Sequence, residues 1–249
     1  MLQYIQQSLH QLADPARAES SQRFFKTDDW DYGAGDQFLG IRVPEIRKVA
    51  KSYRQKTTLD DIAHLLVSLV HEHRFAATEL LCFHFTAKHP VYSQEQIINF
   101  YVTHLEGINN WDLVDNSAYS LLGDRLKDKK DRSILYDFAR SGSLRKMRIA
   151  MIATMAFLRE GQLDDTYDVA EILLVYQIKK DPKHEFGWRG GRELTNKAVG
   201  WLLRETRYKD TERLRNFLTR HISYLPRTML RYAIEKMDEQ ERKQWLVKK

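Results

Sequence analysis

Two side chains four residues apart carry the first chemical suggestion. Trp111 and Asp115 lie in the stretch Asn109-Asn110-Trp111-Asp112-Leu113-Val114-Asp115. Asn109 or Asn110 can cap a helix, and Asp112 suits its first turn. A helix from there to about Leu126 puts Trp111 and Asp115 on one face. An aromatic ring and a carboxylate on one face both attract a delocalised cation, the ring by its quadrupole and the carboxylate by its charge. The plainer reading is a core Trp and a solvated or capping Asp.

Basic and aromatic residues gather on two other segments. In Ser143-Leu144-Arg145-Lys146-Met147-Arg148-Ile149-Ala150, Arg148 opens an apolar run and can emerge from the core as a forked phosphate clamp. It can equally be a surface Arg near a helix start. In Asn196-Lys197-Ala198-Val199-Gly200-Trp201-Leu202-Leu203-Arg204-Glu205, the positions of Lys197, Trp201 and Arg204 follow i, i+4, i+7. A Trp between two cations suits a nucleic-acid surface, or else a core Trp with snorkelling neighbours. Gly200 can admit another backbone, or a ligand, at close range. Other standard sites are missing. There is no P-loop, Gly187-Trp188-Arg189-Gly190-Gly191 follows no strand, His71 and His73 lack companion ligands, and no serine sits in a nucleophile motif.

These residues must be positioned by helices. The chain has 249 residues, enough for one large domain, and 11 Gly with 5 Pro disfavour a turn-rich β fold. Helices are expected over about 2–13, 15–25, 44–53, 58–70, 75–88, 93–105, 110–126, 132–139, 143–159, 163–178, 193–206, 211–221 and 226–237, with a last short one holding Trp245. Ile149 to Leu158 is apolar nearly all round and belongs in a core. Residues 27–37 and 179–191 read as loops. Helices of this length joined by short turns predict one α-solenoid domain of antiparallel pairs over residues 1–249, with a helical bundle as the competing architecture.

Charge is uneven. Residues 179–249 hold 19 Lys/Arg against 10 Asp/Glu, a net +9, and residues 1–178 hold a net −3. A basic third on a near-neutral body points to a polyanion such as nucleic acid, or to a solvated Arg-rich helix surface. Cys82, the single cysteine, excludes a disulfide framework and is expected to be a buried, inert thiol. The N-terminus lacks a signal-peptide pattern, and no apolar run is long enough to span a bilayer. The expected compartment is the cytoplasm.

Read together, the motifs carry a specific resemblance. Asn-Asn-Trp-Asp-Leu-Val-Asp at 109–115, Met-Arg-Ile-Ala at 147–150, Lys-Ala-Val-Gly-Trp-Leu-Leu-Arg-Glu at 197–205 and Leu-Pro-Arg-Thr-Met-Leu-Arg-Tyr-Ala-Ile-Glu-Lys at 225–236 resemble the AlkD family of bacterial DNA alkylation-repair glycosylases. Phe-Leu-Gly-Ile with Pro44 and Arg47 fits its N-terminal signature, and the resemblance runs from about Phe24 to the last helix. It implies an all-α, HEAT-like solenoid with a concave basic face for duplex DNA. It implies hydrolysis of the N-glycosidic bond of positively charged alkylpurines, N3-alkyladenine and N7-alkylguanine, in base excision repair. No metal or cofactor is implied, and the expected setting is the bacterial nucleoid; a monomer is expected because a closed solenoid with polar end helices needs no partner. The family's catalytic carboxylate maps to Asp115, its flanking tryptophans to Trp111 and Trp201, and its site arginine to Arg148. Lys197, Arg204, Arg227, Arg231, Arg145 and Arg47 are candidates for DNA contacts. Arg145 stands where the family usually has Trp, which leaves that helix's packing or DNA contact open. The 179–191 loop is longer than usual, and its Trp188 and Arg189 either touch DNA or are solvated. The alternative function is a non-catalytic member of this fold that binds damaged or branched DNA by shape. A protein-interaction scaffold is a third possibility, against which the basic C-terminal third argues.

Overall fold

A computed structural model describes residues 1–28, 33–178 and 191–249. Among the described residues the secondary structure is helical, and the β pairing is a single parallel bridge between Gln37 and Val70. The chain divides into two compact units, Met1–Arg125 and Leu126–Lys249.

The first unit contains α1 (Leu2–His10), α2 (Pro15–Phe25), α3 (Val43–Tyr53), α4 (Leu59–Leu66), α5 (His71–Phe85), α6 (Gln94–Thr103) and α7 (Trp111–Ser117). The starts follow from local chemistry. Asp14 caps α2 by accepting from the Arg17 backbone N–H, with Pro15 as the first helical residue. Thr58 and Ser93 form capping boxes with Asp61 and Gln96. Helices α1, α3, α5 and α7 pack in series, each against the next, and α4 and α6 pack on α5. This is the side-by-side stacking expected of helical repeats. The central α5 is buried on nearly all sides, charged residues included.

Helix α7 is shorter than expected. The chain stays helical to Leu126, but after Ala118 it widens into a π turn over Tyr119–Gly123 before α8 (Asp124–Leu126). Gly123 N–H donates to the Ala118 carbonyl at 2.9 Å. The wider turn lets Leu121, Leu122 and Gly123 all be buried in succession, which a regular 3.6-residue turn allows less readily.

The second unit contains α9 (Ser133–Arg140), α10 (Leu144–Ala153), α11 (Met155–Arg159), α12 (Asp164–Ile178), α13 (Gly191–Thr206), α14 (Thr211–His221), α15 (Arg227–Ala233) and α16 (Glu239–Lys248). Here α9 packs on α10 and α12, while α10, α13 and α15 pack in series. Ser143, Asp210 and Asp238 cap α10, α14 and α16. The expected single helix over 143–159 is broken at Thr154. That residue is fully buried and spends its hydroxyl on the Met151 carbonyl at 2.8 Å, a local bond that competes with the helix ladder. Helix α15 is also short, ending at Ala233 where Met237 was expected. The last short helix expected around Trp245 is α16, and Trp245 is buried on it.

Gly200 shows which close approach it serves. A Cβ there would lie 2.5 Å from the Met229 carbonyl oxygen and 2.6 Å from the Tyr232 Cβ, so it admits the backbone of α15. Gly200→Val is therefore expected to destabilise the protein by about 1–3 kcal/mol, as overpacking does. A denaturant midpoint equal to that of the wild type would refute this.

No helix among the described residues is long and apolar enough to cross a membrane. Cys82 is half-buried, less enclosed than expected. Desolvation and then Glu79 still push its thiol pKa well up, which keeps it protonated and unreactive.

Candidate active site on α7 and basic residues of the second unit

Helix α7 begins where Asn110 accepts a hydrogen bond from the Trp111 backbone N–H at 2.8 Å. Trp111 and Asp115 fall one turn apart, and both are half-buried. The indole is held by aromatic packing. Phe25 stacks on it at 5.4 Å with planes 22° apart, and Phe24, 65% exposed, meets it edge-on at 5.9 Å. Phe25 also stacks on Phe38 at 5.1 Å, and Phe38 on His71 at 4.7 Å, so four rings form a ladder behind α7. From the sequence, Phe24 and Phe25 were legible only as residues of α2.

The polar residues of α7 and the turn before it are all tied to elements beneath. Asp36 is the hub. It accepts from Asn109 at 3.0 Å and from Asn110 at 3.5 Å, pairs with Arg74 at 2.7 Å and faces His71 Nδ1 at 3.3 Å. The other ring nitrogen of His71 meets Asp112 Oδ2 at 2.7 Å. Burial alone would raise the Asp36 pKa, but the bond from His71, the Arg74 charge and Asn109 hold it below the usual carboxylate range. Burial alone would lower the His71 pKa, yet Asp112 and Asp36 raise it to about 9. Asp112 thus does more than cap the helix dipole. The segment bearing Asp36 is set by the bridge to Val70, and the following backbone is gripped by Glu72. That buried carboxylate accepts from Leu39, Gly40 and Ile41 at 2.9, 2.8 and 3.3 Å. Gly40 has φ +78 and passes so close to Asp14 and Ala18 that no side chain fits.

At the far end of α7, Asn116 donates to Thr78 Oγ1 at 3.1 Å and accepts from Arg47 Nη2 at 3.3 Å. Arg47 itself is clamped by the buried Glu79, with Nε at 2.9 Å and Nη2 at 2.7 Å from the two carboxylate oxygens. Its side chain remains half-exposed. Ser117 bonds Tyr101 at 3.1 Å inside the core.

The other predicted residues lie in the second unit. Arg148 is only 8% exposed and donates to the Leu194 carbonyl, tying α10 to α13. Trp201 is half-buried on α13, with Lys197 one turn before it and Arg204 after it. Lys197 pairs with Glu193 at 3.0 Å. Arg204 is held by Glu205 at 2.7 Å and also by Glu235. Its charge is therefore largely neutralised within the protein, which the expectation of a DNA contact did not include. Arg145 is half-buried on α10. Arg227 and Arg231 are exposed on α15, and among the described residues neither has a carboxylate partner. Trp188 and Arg189 lie outside the described residues.

An all-α chain of stacked helix pairs, with an aromatic and a carboxylate on one pinned helix and cations concentrated in its second unit, defines a helical-repeat protein suited to a polyanion. The chain belongs to the DNA alkylation repair enzyme family, whose model matches residues 5–237. It shares its fold with a predicted DNA alkylation repair enzyme from Enterococcus faecalis, with a TM-score of 0.64 and 16% identity over 91% of this chain and 97% of that one. No curated protein matches it. DNA is the substrate the family implies.

Proposed function

We propose that the protein is a DNA glycosylase for positively charged alkylpurines, N3-alkyladenine and N7-alkylguanine, in duplex DNA. The observation that carries the reading is α7. Asp115 and Trp111 share its half-exposed face, while Asn110, Asp112 and Asn116 anchor it. Alkylation at a ring nitrogen puts positive charge on the base and makes it a good leaving group. As the glycosidic bond lengthens, positive charge moves onto the deoxyribose. Asp115 stabilises that cation and orients the attacking water. Trp111 and Trp201 each add a cation–π term of about 0.5–2 kcal/mol. Terms of this size suffice because the lesion is already labile. Arg148, although mostly buried and bonded to the Leu194 carbonyl, is assigned the phosphate near the lesion, Arg145 adds a backbone contact, and Arg47, already paired with Glu79, adds less, as Arg204 does. No cofactor is required for this hydrolysis.

The test is single-turnover release of base from duplex DNA carrying one N7-methylguanine, then one N3-methyladenine. Release well above the spontaneous rate supports the reading. Salt-sensitive binding with no release from either lesion would leave binding of damaged DNA as the function.

The basic residues divide by their partners. Arg227→Ala and Arg231→Ala are each expected to weaken DNA binding uniformly across sequences and to reduce the slope of log affinity against log salt by about 1. Arg204→Ala should change the slope less, because Glu205 and Glu235 already neutralise that guanidinium. Equal slopes for Arg204→Ala and Arg231→Ala, measured by fluorescence anisotropy, would contradict this division.

A further inference from the structure

His71 has no part in the chemistry above, yet two carboxylates from different segments converge on it. Asp36 comes from the turn before the Gln37 bridge, and Asp112 from the first turn of α7. A neutral imidazole donates from one ring nitrogen only. With Asp112 Oδ2 at 2.7 Å from Nε2 and Asp36 Oδ2 at 3.3 Å from Nδ1, both contacts are satisfied only when the ring carries both protons. Among the described residues the remaining charged group at this cluster is Arg74, which sits on the other oxygen of Asp36. Phe38 and Phe25 cover the ring, at 4.7 and 5.0 Å, and exclude water from it.

The contact matters because of what Asp112 belongs to. It stands one residue after Trp111 and three before Asp115, on a helix of seven residues. The first-turn backbone N–H groups of a helix have no intrahelical acceptor, so the phase and tilt of that end answer to its tertiary contacts. The Oδ1 atom of Asp112 is buried without a hydrogen-bond donor among the described residues. His71 is thus the group that compensates this carboxylate, and it ties α7 to α5 and to the Asp36 segment together.

We propose that His71 is a positioning residue: held as an imidazolium between Asp36 and Asp112, it fixes the first turn of α7 and with it the placement of Trp111 and Asp115. Its kinetic consequence rests on the glycosylase reading, whereas its structural consequence does not. The experiment uses the full chain as wild type, His71→Gln and Asp112→Asn. Long-range proton–nitrogen NMR reads the protonation of His71, and the indole N–H signal of Trp111 reads the placement of α7. The wild type should show both His71 nitrogens protonated at neutral pH, with the second proton lost near pH 9, and the Trp111 signal should move over the same range. Both variants should shift the Trp111 signal and slow single-turnover base release by about ten- to a hundredfold with DNA affinity unchanged, as a misplacement of about 1 Å does. A neutral His71 ring at pH 7 overturns the proposal, as do wild-type rates in both variants. If the wild type releases no base from any alkylpurine, the glycosylase reading alone falls. The Trp111 signal then decides, and an unmoved indole in the variants overturns the positioning role. Should His71→Gln fail to fold, Asp112→Asn carries the same readouts with the Asp36–His71 contact retained.

Discussion

Asp115→Asn is expected to lower single-turnover release of N7-methylguanine from duplex DNA by about 10²–10³ while DNA affinity stays near that of the wild type. Asparagine preserves the shape of the side chain and removes its charge. A carboxylate about 4 Å from the developing sugar cation interacts with roughly 4 kcal/mol at an effective dielectric near 20. The base is already cationic in the ground state, so part of that attraction is present before the bond breaks. Only the increment that grows as charge moves from purine to sugar accelerates the step. An increment of about 3 kcal/mol, most of that total, corresponds to the lower end of the stated range. The half-buried position of Asp115 on α7 is consistent with such a dielectric, lower than that of bulk water and higher than that of a dry interior. Binding should survive, because affinity for duplex DNA is dominated by phosphate contacts. Release by Asp115→Asn at the wild-type rate would remove Asp115 from the chemistry. A matching loss of affinity would make it a binding residue instead.

The helices were legible in the sequence wherever a cap or a proline set the boundary. Asp14-Pro15 and Ser93 mark starts that the structure places within a residue, and the start expected at Thr211 is met. The breaks were not legible. The π turn after Ala118 and the interruption at Thr154 answer to burial on several sides at once, which helical periodicity along one chain does not encode. The pairing of Trp111 with Asp115 was legible because four residues along a helix is one turn. Its support was not. His71 lies 35 residues from Asp36 and 41 from Asp112, and in the sequence it read only as an unsupported metal ligand. Arg204 shows the same limit. It read as a cation available to DNA, although Glu205 stands next to it, and the second partner is 31 residues away. Net charge adds up along a sequence, but which charges are spent internally is decided by packing.

Asp36→Ala should be the most destabilising single substitution around α7, costing about 3–5 kcal/mol because it strands buried cations. The Asp36 side chain is 2% exposed, and it neutralises Arg74, itself 6% exposed, besides facing His71. It also accepts from Asn109 and Asn110, so its loss frees the turn that launches α7. A total stability of about 5–15 kcal/mol leaves little margin for such a loss. The pH dependence identifies the cause. Asp36 has a folded pKa below its ordinary value of 3.8, so its contribution is present above that value and is lost as pH falls through the lower folded one. The His71 pKa is raised from 6.5 to about 9, so its contribution is complete below 6.5 and is lost as pH rises through 9. His73, buried beside His10 and Arg74 with its pKa lowered to about 4, works against the fold as pH drops below 6.5. The alkaline side is therefore where His71 is read without interference from its neighbour. Urea unfolding of the wild type should show stability declining between pH 6.5 and 9 by about 3 kcal/mol, at 1.36 kcal/mol per unit. In Asp36→Ala one of the two carboxylates that raise the His71 pKa is gone, so the decline should still begin near pH 6.5 but end at lower pH and be smaller in total. A cost below about 1 kcal/mol, within the range of an ordinary surface ion pair, would show that Arg74 and His71 are solvated after all. A full cost with an alkaline decline of unchanged extent would assign the loss to Arg74 alone and detach His71 from the network that holds Trp111 and Asp115 in place.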